Sequence, residues 1–313
     1  MIELNGKRVL LTGGHGFLGK YLHKTLHDRG AQVHLFHSSA YDLRLMEDAN
    51  AVFHDCKPEI VVHAAARVGG IGANQRWPAD FFLQNLIMGL HVLEASRQFE
   101  VKKLVIIGTT CSYPHTPPSI PFKEEDLFNG YPEPTNAPYG IAKRTLIAGA
   151  LAYRKQYGLN AISLIPTNMY GPGDNFNPDS SHVIPALILK FTQAQKAGEN
   201  KVYLWGTGQA TRSFIHAQDA AEGIVLAIEK YDGQMPVNLA QEQETSIDSL
   251  AKTIAKMVGF TGEIVWDRSK PDGQPVRCLN TSLARSLFGF SAKTDFIEGL
   301  KETIEWWKGI NNA

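Results

Sequence analysis

Cysteine is scarce in this chain: Cys56, Cys111 and Cys278 are the only three among 313 residues. An odd number without metal-type spacing excludes a disulfide framework and a structural zinc site, so no metal is expected and a reducing, cytoplasmic location fits. An excess of one charge is missing too. The chain carries 31 Lys and Arg against 31 Asp and Glu, a formal net charge of +0, and nothing proposes nucleic acid or an anionic membrane as partner. No apolar run is long enough to span a bilayer. The first residues, Met1-Ile2-Glu3-Leu4-Asn5-Gly6-Lys7-Arg8, lead straight into a strand and show no signal-peptide pattern. Internal repeats and low-complexity linkers are absent as well.

What remains is an ordinary globular composition, 43% hydrophobic and 20% charged, long enough for one large α/β unit or two closely joined domains. Arg8-Val9-Leu10-Leu11-Thr12 predicts a buried strand, followed by a glycine-rich turn and a helix to about Arg29. Strands are predicted at 32–36, 59–63, 103–108 and 160–165, with helices at 80–97 and 138–156. This alternation argues for a Rossmann-type, doubly wound parallel sheet. After Ile165 the pattern loosens. A helix begins near His182, another covers 219–229, a strand covers 237–239, and Ser246 is placed to cap a helix to Val258. Residues 268–282 read as a polar loop, with helices near 282–288 and 295–308. The predicted plan is a dinucleotide-binding domain of residues 1–165 and 215–240. A smaller α/β substrate-binding domain of 166–214 and 241–313 completes it, with the active site between the two.

Gly13-Gly14-His15-Gly16-Phe17-Leu18-Gly19 follows a strand and opens a helix. Glycines there allow a tight turn and close backbone approach to a pyrophosphate, and the helix N-terminus offers free N–H groups. At the end of the second strand, Phe36-His37-Ser38-Ser39 has no acid until Asp42. An acid would hold the ribose hydroxyls and repel a 2′-phosphate; hydroxyls, an imidazole and nearby Arg44 can receive one, which favours NADP(H). The bland alternative makes His37 and Ser38 a solvated loop.

Five side chains then suggest chemistry: Thr109, Cys111, Tyr139, Lys143 and His182. Tyr139 and Lys143 lie four apart and share a helix face. A lysine ammonium beside a phenol favours the phenolate, so proton exchange near neutrality is expected of the pair. Thr109 offers a hydroxyl to steady a substrate oxygen. Cys111 and His182 form a second acid–base pair that alcohol–ketone chemistry does not need. Together they suggest hydride transfer at one carbon and proton exchange at its neighbours. A ketone acidifies the adjacent C–H bonds, and inversion there needs a base on one face and an acid on the other. Cys111 can be that base if positive charge lies near it, and His182 the acid. The plainer readings are a buried small hydrophobe for Cys111 and a helix cap or phosphate ligand for His182.

These residues, together with Ala65-Ala66-Arg67-Val68-Gly69-Gly70-Ile71, Gly108-Thr109-Thr110-Cys111-Ser112-Tyr113-Pro114 and Ser181-His182-Val183-Ile184-Pro185-Ala186-Leu187, carry a resemblance. The chain resembles the extended short-chain dehydrogenase/reductases and, in detail, the GDP-L-fucose synthase family of NADPH-dependent GDP-4-keto-6-deoxymannose 3,5-epimerase/4-reductases. Pro78-Ala79-Asp80-Phe81, Pro166-Thr167-Asn168-Met169-Tyr170-Gly171-Pro172 and Asp174-Asn175-Phe176 extend the match over most of the chain, most weakly after about residue 240. The resemblance implies that Ala65, Pro166, Asn168 and His182 contact NADP(H) alongside the glycine turn and Lys143. It implies that Lys190, Trp205, Arg212 and Asn280 contact a GDP-linked sugar, although Trp205 could equally line a core. It also implies a homodimer with the 80–97 and 138–156 helices pairing across a two-fold axis. Thr109 stands where Ser is usual, Gly140 for Ala, Lys190 for Arg, Asn280 for Asp, and His15 for a basic residue beside the phosphates.

Two other readings stand beside this one. A related nucleotide-sugar epimerase or 4-reductase acting on another 4-keto sugar would share the Cys and the Tyr/Lys pair, whereas dehydratases place acids directly after the Thr109 position. A redox-sensing binding protein would usually have lost the tyrosine or the lysine.

Overall fold

Runs rich in Val, Ile and Leu form a six-stranded parallel sheet in the computed structural model, which describes residues 1–311. Its first five strands are β1 (Arg8–Thr12), β2 (Gln32–His34), β3 (Ile60–His63), β4 (Lys103–Ile107) and β5 (Ala161–Pro166). Between them run α1 (Phe17–Asp28), α2 (Met46–Cys56), α3 (Ile71–Arg76), α4 (Pro78–Gln98) and α5 (Ala137–Tyr157). The chain continues through β6 (Asn168–Tyr170), α6 (Val183–Ala197), β7 (Lys201–Trp205) and β8 (Thr211–His216). Next come α7 (Ala217–Lys230), β9 (Val237–Leu239), β10 (Glu244–Ser246) and α8 (Ile247–Val258). The last elements are β11 (Glu263–Asp267), β12 (Val276–Arg277), α9 (Ser282–Phe288) and α10 (Phe296–Asn311).

The sheet order is β2-β1-β3-β4-β5-β9, and every neighbouring pair is parallel. Strands β3, β4 and β5 are buried along their whole length. That is the expected state of a parallel sheet covered by helices on both faces. On one face Leu22 and Leu26 of α1 pack with Ile224 and Ile228 of α7. On the other, Phe53 of α2, Val92 and Leu93 of α4 and Leu146 of α5 form a second core. A third core draws on Phe191 of α6, Leu250 and Ile254 of α8 and Leu300 of α10. Strand β8 joins the regions: Phe214 points into the third core and Ile215 into the first, as alternation along a strand requires. No helix among the described residues is long and apolar enough to cross a membrane.

Several elements differ from the sequence expectation. Strand β2 stops at His34, so residues 35–38 become a loop beside the glycine turn. Helix α2 lies where no element was predicted; its buried stripe is only Ala49, Val52 and Phe53, too narrow to stand out in a polar stretch. Within the loop expected at 268–282, β12 forms and pairs parallel with β8, setting Arg277 opposite Arg212. Ser246 does cap α8, its hydroxyl accepting from the Ser249 N–H at 3.1 Å.

Candidate active site

Strand β1 pairs with β2 on one side and β3 on the other, so the chain reverses its direction of spread there. Such switch points leave a crevice at the carboxyl ends of the strands. Thr12 at the end of β1 ties the crevice together: its Oγ1 lies 2.9 Å from His63 Nδ1 and accepts from the Ala65 N–H at 3.1 Å. The glycine turn forms the floor. No side chain caps the N-terminus of α1, so its first N–H groups remain available to an anion. Gly19 is needed for close approach, since a Cβ there would overlap the Gly13 carbonyl oxygen.

Three cavities meet in this region. The first, of about 400 Å³, runs from Gly13, Gly16, Phe17, Leu18 and Gly19 past Ala65, Pro166 and Asn168 to Thr109, Cys111, Tyr139, Lys143 and His182. All five residues expected to carry the chemistry therefore line one cavity. The second, of about 350 Å³, shares Asn168, His182 and Arg277 with it and is lined by Lys190, Trp205 and Arg212. The third, of about 480 Å³, extends from Gly13, Gly16 and Ala65 to His15, His37 and Ser38. Asn280 belongs to none of them. The structure places it in a separate cleft with Glu242 and Cys278, where its Oδ1 accepts from the N–H and hydroxyl of Ser282 at the start of α9. The cause is the backbone: the Asn280 N–H donates to the Phe122 carbonyl at 2.9 Å, which leads the chain away from the cavities.

Thr109 sits just past β4, its side chain accepting from the Cys111 N–H at 3.2 Å and so shaping the turn Thr110–Ser112. That turn is clamped to α5. Ser112 Oγ donates to the Gly140 carbonyl at 3.0 Å and Arg144 Nε donates to the Ser112 carbonyl at 2.7 Å. Gly140 permits the contact, because a Cβ there would overlap the Cys111 carbonyl oxygen. Gly140, the residue after Tyr139, thus sets how near the Cys111 turn comes to α5.

The electrostatics of the phenol differ from the sequence expectation. Removal from water holds the Tyr139 phenol above its ordinary value, the Cys111 charge pushes the same way, and the Thr109 hydroxyl opposes both. Lys143 does not bring it toward neutrality. Its ammonium donates instead to the Ile107 carbonyl at 3.0 Å, and burial lowers its pKa to about 8. Tyr139 is a protonated phenol at neutral pH, an acid in waiting rather than a phenolate. His182 occupies the N-cap position of α6, yet its ring makes no capping bond. Burial first and the Arg277 charge second hold its imidazole below the ordinary histidine value, so the open site presents a neutral ring that must take a proton before it can give one.

Two residues were missed by sequence reasoning. Arg277 Nη1 donates toward Cys111 Sγ at 3.5 Å, and its Nε donates to Gln274 Oε1 at 3.1 Å. Gln274 is anchored in turn by donating to the Pro114 and His115 carbonyls. This is the positive charge that a cysteine base requires, and no periodicity or motif marks it in Pro-Val-Arg-Cys. Asp174 also lines the first cavity. One of its oxygens accepts from the Asn175 N–H at 2.7 Å, while Oδ2 is buried without a partner. Burial raises its pKa to about 7, with the Asn175 N–H opposing. A carboxyl raised on folding favours the folded state below its unfolded value, and that advantage is lost as pH rises through about 7. Asp174→Asn is therefore expected to leave stability near wild type at pH 4 and to raise it by about 2–4 kcal/mol at pH 8. Thermal unfolding at both pH values measures this; an unchanged difference between them would show that the carboxyl is not desolvated.

Residues 9–240 match the NAD dependent epimerase/dehydratase family. Over 301 residues the chain is 39% identical to GDP-L-fucose synthase 1 of Arabidopsis thaliana, covering 96% of this chain and 93% of that protein. Among solved structures it is similar to a GDP-6-OMe-4-keto-L-xylo-heptose reductase from C. jejuni, with a TM-score of 0.91, 30% identity and 99% of each chain covered. It is also similar to a GDP-L-fucose synthetase from Naegleria fowleri bound to NADP, with a TM-score of 0.89, 30% identity, and 100% of this chain and 97% of that one covered. With a switch-point crevice, a Tyr-x-x-x-Lys helix and likeness along nearly its full length, the chain belongs to the NAD-dependent epimerase/dehydratase family, the extended short-chain dehydrogenase/reductases.

Proposed function

We propose that this enzyme is an NADPH-dependent epimerase-reductase that converts GDP-4-keto-6-deoxy-D-mannose to GDP-L-fucose, by 3,5-epimerisation and then reduction of the 4-ketone. The observation that carries the reading is the presence of Cys111 and His182 on the same cavity as Thr109, Tyr139 and Lys143, with a guanidinium against the sulfur. A simple ketone reductase has no use for the thiol and the imidazole.

The uncapped N-terminus of α1, which opens from the glycine turn onto the first cavity, fits a pyrophosphate. The glycine turn would hold it, Ala65, His15, His37 and Ser38 the adenosine end, and Pro166, Asn168, His182 and Lys143 the nicotinamide end. Bound NADPH supplies the hydride for the sugar ketone. Trp205, Lys190 and Arg212 line the adjoining cavity and would take the GDP moiety, the aromatic ring for the base and the cations for the phosphates. Cys111 as thiolate removes a proton beside the ketone while Thr109 steadies the ketone oxygen. His182, having taken up a proton, returns one from the opposite face. Tyr139 then protonates the oxygen as the ketone becomes an alcohol. Each inversion conserves protons, and reduction consumes one hydride and one proton.

We assign cofactor binding to residues 1–165 and 215–240, and substrate binding to 166–214 and 241–313, in support of which the third core stands apart from the sheet. Exposed Phe82, Leu83 and Leu90 on α4 support a second copy of the chain as partner. A cytoplasmic compartment would keep Cys111 a thiol. Likeness to the heptose reductase supports a second reading, a 4-reductase acting on another GDP-linked 4-keto sugar. Incubation with GDP-4-keto-6-deoxymannose and NADPH, with NMR of the product, separates the two. GDP-L-fucose formed with one NADPH consumed per molecule is expected. A reduced sugar with carbons 3 and 5 uninverted would overturn the epimerase reading.

A further inference from the structure

Among the described residues lining the adenosine end of the groove, every permanent cation already has an ion-pair partner. His15, in the turn after β1, and His37, in the loop after β2, stack face to face with ring centroids 3.8 Å apart and planes 6° from parallel. Both line the cavity of about 480 Å³, whose other charged or titratable side chains are Tyr41, Asp42, Arg44 and Arg67. Each of these is engaged. Arg44 holds the Asp42 carboxylate in a forked pair at 2.9 and 2.6 Å. Arg67 pairs with Asp80 at 3.3 Å and lies over the Trp77 and Phe81 rings. The Tyr41 hydroxyl donates to Asp55 at 2.6 Å. Arg44, expected to receive a 2′-phosphate, is held here by its own neighbour Asp42, so a phosphate would have to compete with that carboxylate for it.

Among the described residues lining this cavity, the Ser38 hydroxyl can donate to an anion, but the stacked imidazoles are the groups without an ion-pair partner that can become cations, each by binding a proton. Two neutral rings stack without electrostatic cost, whereas two imidazolium rings at 3.8 Å repel. A phosphate dianion beside them reverses that balance by pairing with both. A ribose hydroxyl, carrying no charge, does not.

We propose that the His15–His37 stack is a proton-coupled reader of the cofactor's 2′-phosphate: NADPH binding draws protons onto the pair, NADH binding does not, and the preference for NADPH fades as pH rises. The inference rests on the nicotinamide-cofactor reading above and adds a control that a permanently charged site would lack. Uptake of one proton on binding weakens affinity about tenfold per pH unit wherever the rings are otherwise neutral.

The test is titration of the full chain with NADPH and with NADH, followed by nucleotide fluorescence between pH 6 and 8.5, for wild type, His37→Arg and His15→Gln. Both histidines are exposed, so neither change threatens the fold. The wild-type ratio of NADH to NADPH dissociation constants is expected to fall about tenfold or more across this range. In His37→Arg a fixed charge should flatten that slope, and in His15→Gln the ratio should start low at pH 6. Titration of the 2′-phosphate itself is common to all three proteins and divides out. Calorimetry in two buffers of different ionisation enthalpy should show net proton uptake of about one for NADPH and about none for NADH. Equal slopes for wild type and His37→Arg, or no proton uptake with NADPH, would overturn the proposal while leaving the cofactor reading intact. Failure of both nucleotides to bind would overturn that reading and this proposal with it.

Discussion

Tyr139→Phe is expected to lower NADPH oxidation by about 10²–10⁴-fold while deuterium from solvent still enters the sugar at carbons 3 and 5. The phenol lines the first cavity and is held above its ordinary value chiefly by removal from water, so it keeps its proton, uncharged, throughout the neutral range. Its loss leaves a developing alkoxide with only water and the weakly acidic Thr109 hydroxyl as donors. Phe retains the ring that packs edge-on to Phe81 at 6.3 Å, so the wall of the cavity keeps its shape. Following absorbance of the reduced nicotinamide beside mass-spectrometric exchange on the same sample separates the two half-reactions. Oxidation within tenfold of wild type would remove Tyr139 from the role of acid.

Cys111→Ser should produce the opposite split: deuterium uptake falls by about 10²–10⁴-fold, with some ketone reduction left. A serine hydroxyl is a far weaker acid than a thiol, and the Arg277 guanidinium cannot make up the difference. The arginine has its own signature. A charge-assisted hydrogen bond contributes about 1.5–3 kcal/mol, so Arg277→Met is expected to slow exchange by about 10–100-fold without ending it. Exchange within twofold of wild type in that variant would show that the guanidinium does not support the thiolate. Both substitutions leave the Thr109–Tyr139 arrangement in place, so a fall in reduction as large as the fall in exchange would count against a two-stage mechanism.

The parts of this site that were legible beforehand are those written in contiguous residues. The glycine turn lies between one strand and one helix, and its chemistry is that of a local backbone path. Tyr139 and Lys143 share a face because a helix repeats every 3.6 residues. Strands β3, β4 and β5 are short apolar runs that a parallel sheet buries completely, and β1 is buried from Val9 onward. By contrast, Arg277 is 166 positions from Cys111 in sequence. It arrives through a two-residue strand that exists only because β8 is there to pair with it. Asn280, three residues further on, is turned away by a backbone hydrogen bond to Phe122.

Local pattern alone marked a Rossmann-type sheet, a glycine turn opening a helix and a helix with Tyr139 and Lys143 on one face, since hydrophobic periodicity and glycine backbone freedom act over a few residues. Folding alone decided which cations stay free to act and which are already paired. It also decided that the phenol keeps its proton, that the buried lysine turns to a carbonyl, and that two histidines from separate turns lie face to face. Charge and protonation depend on burial and on neighbours brought from distant parts of the chain, and those distances come into being only with the tertiary structure.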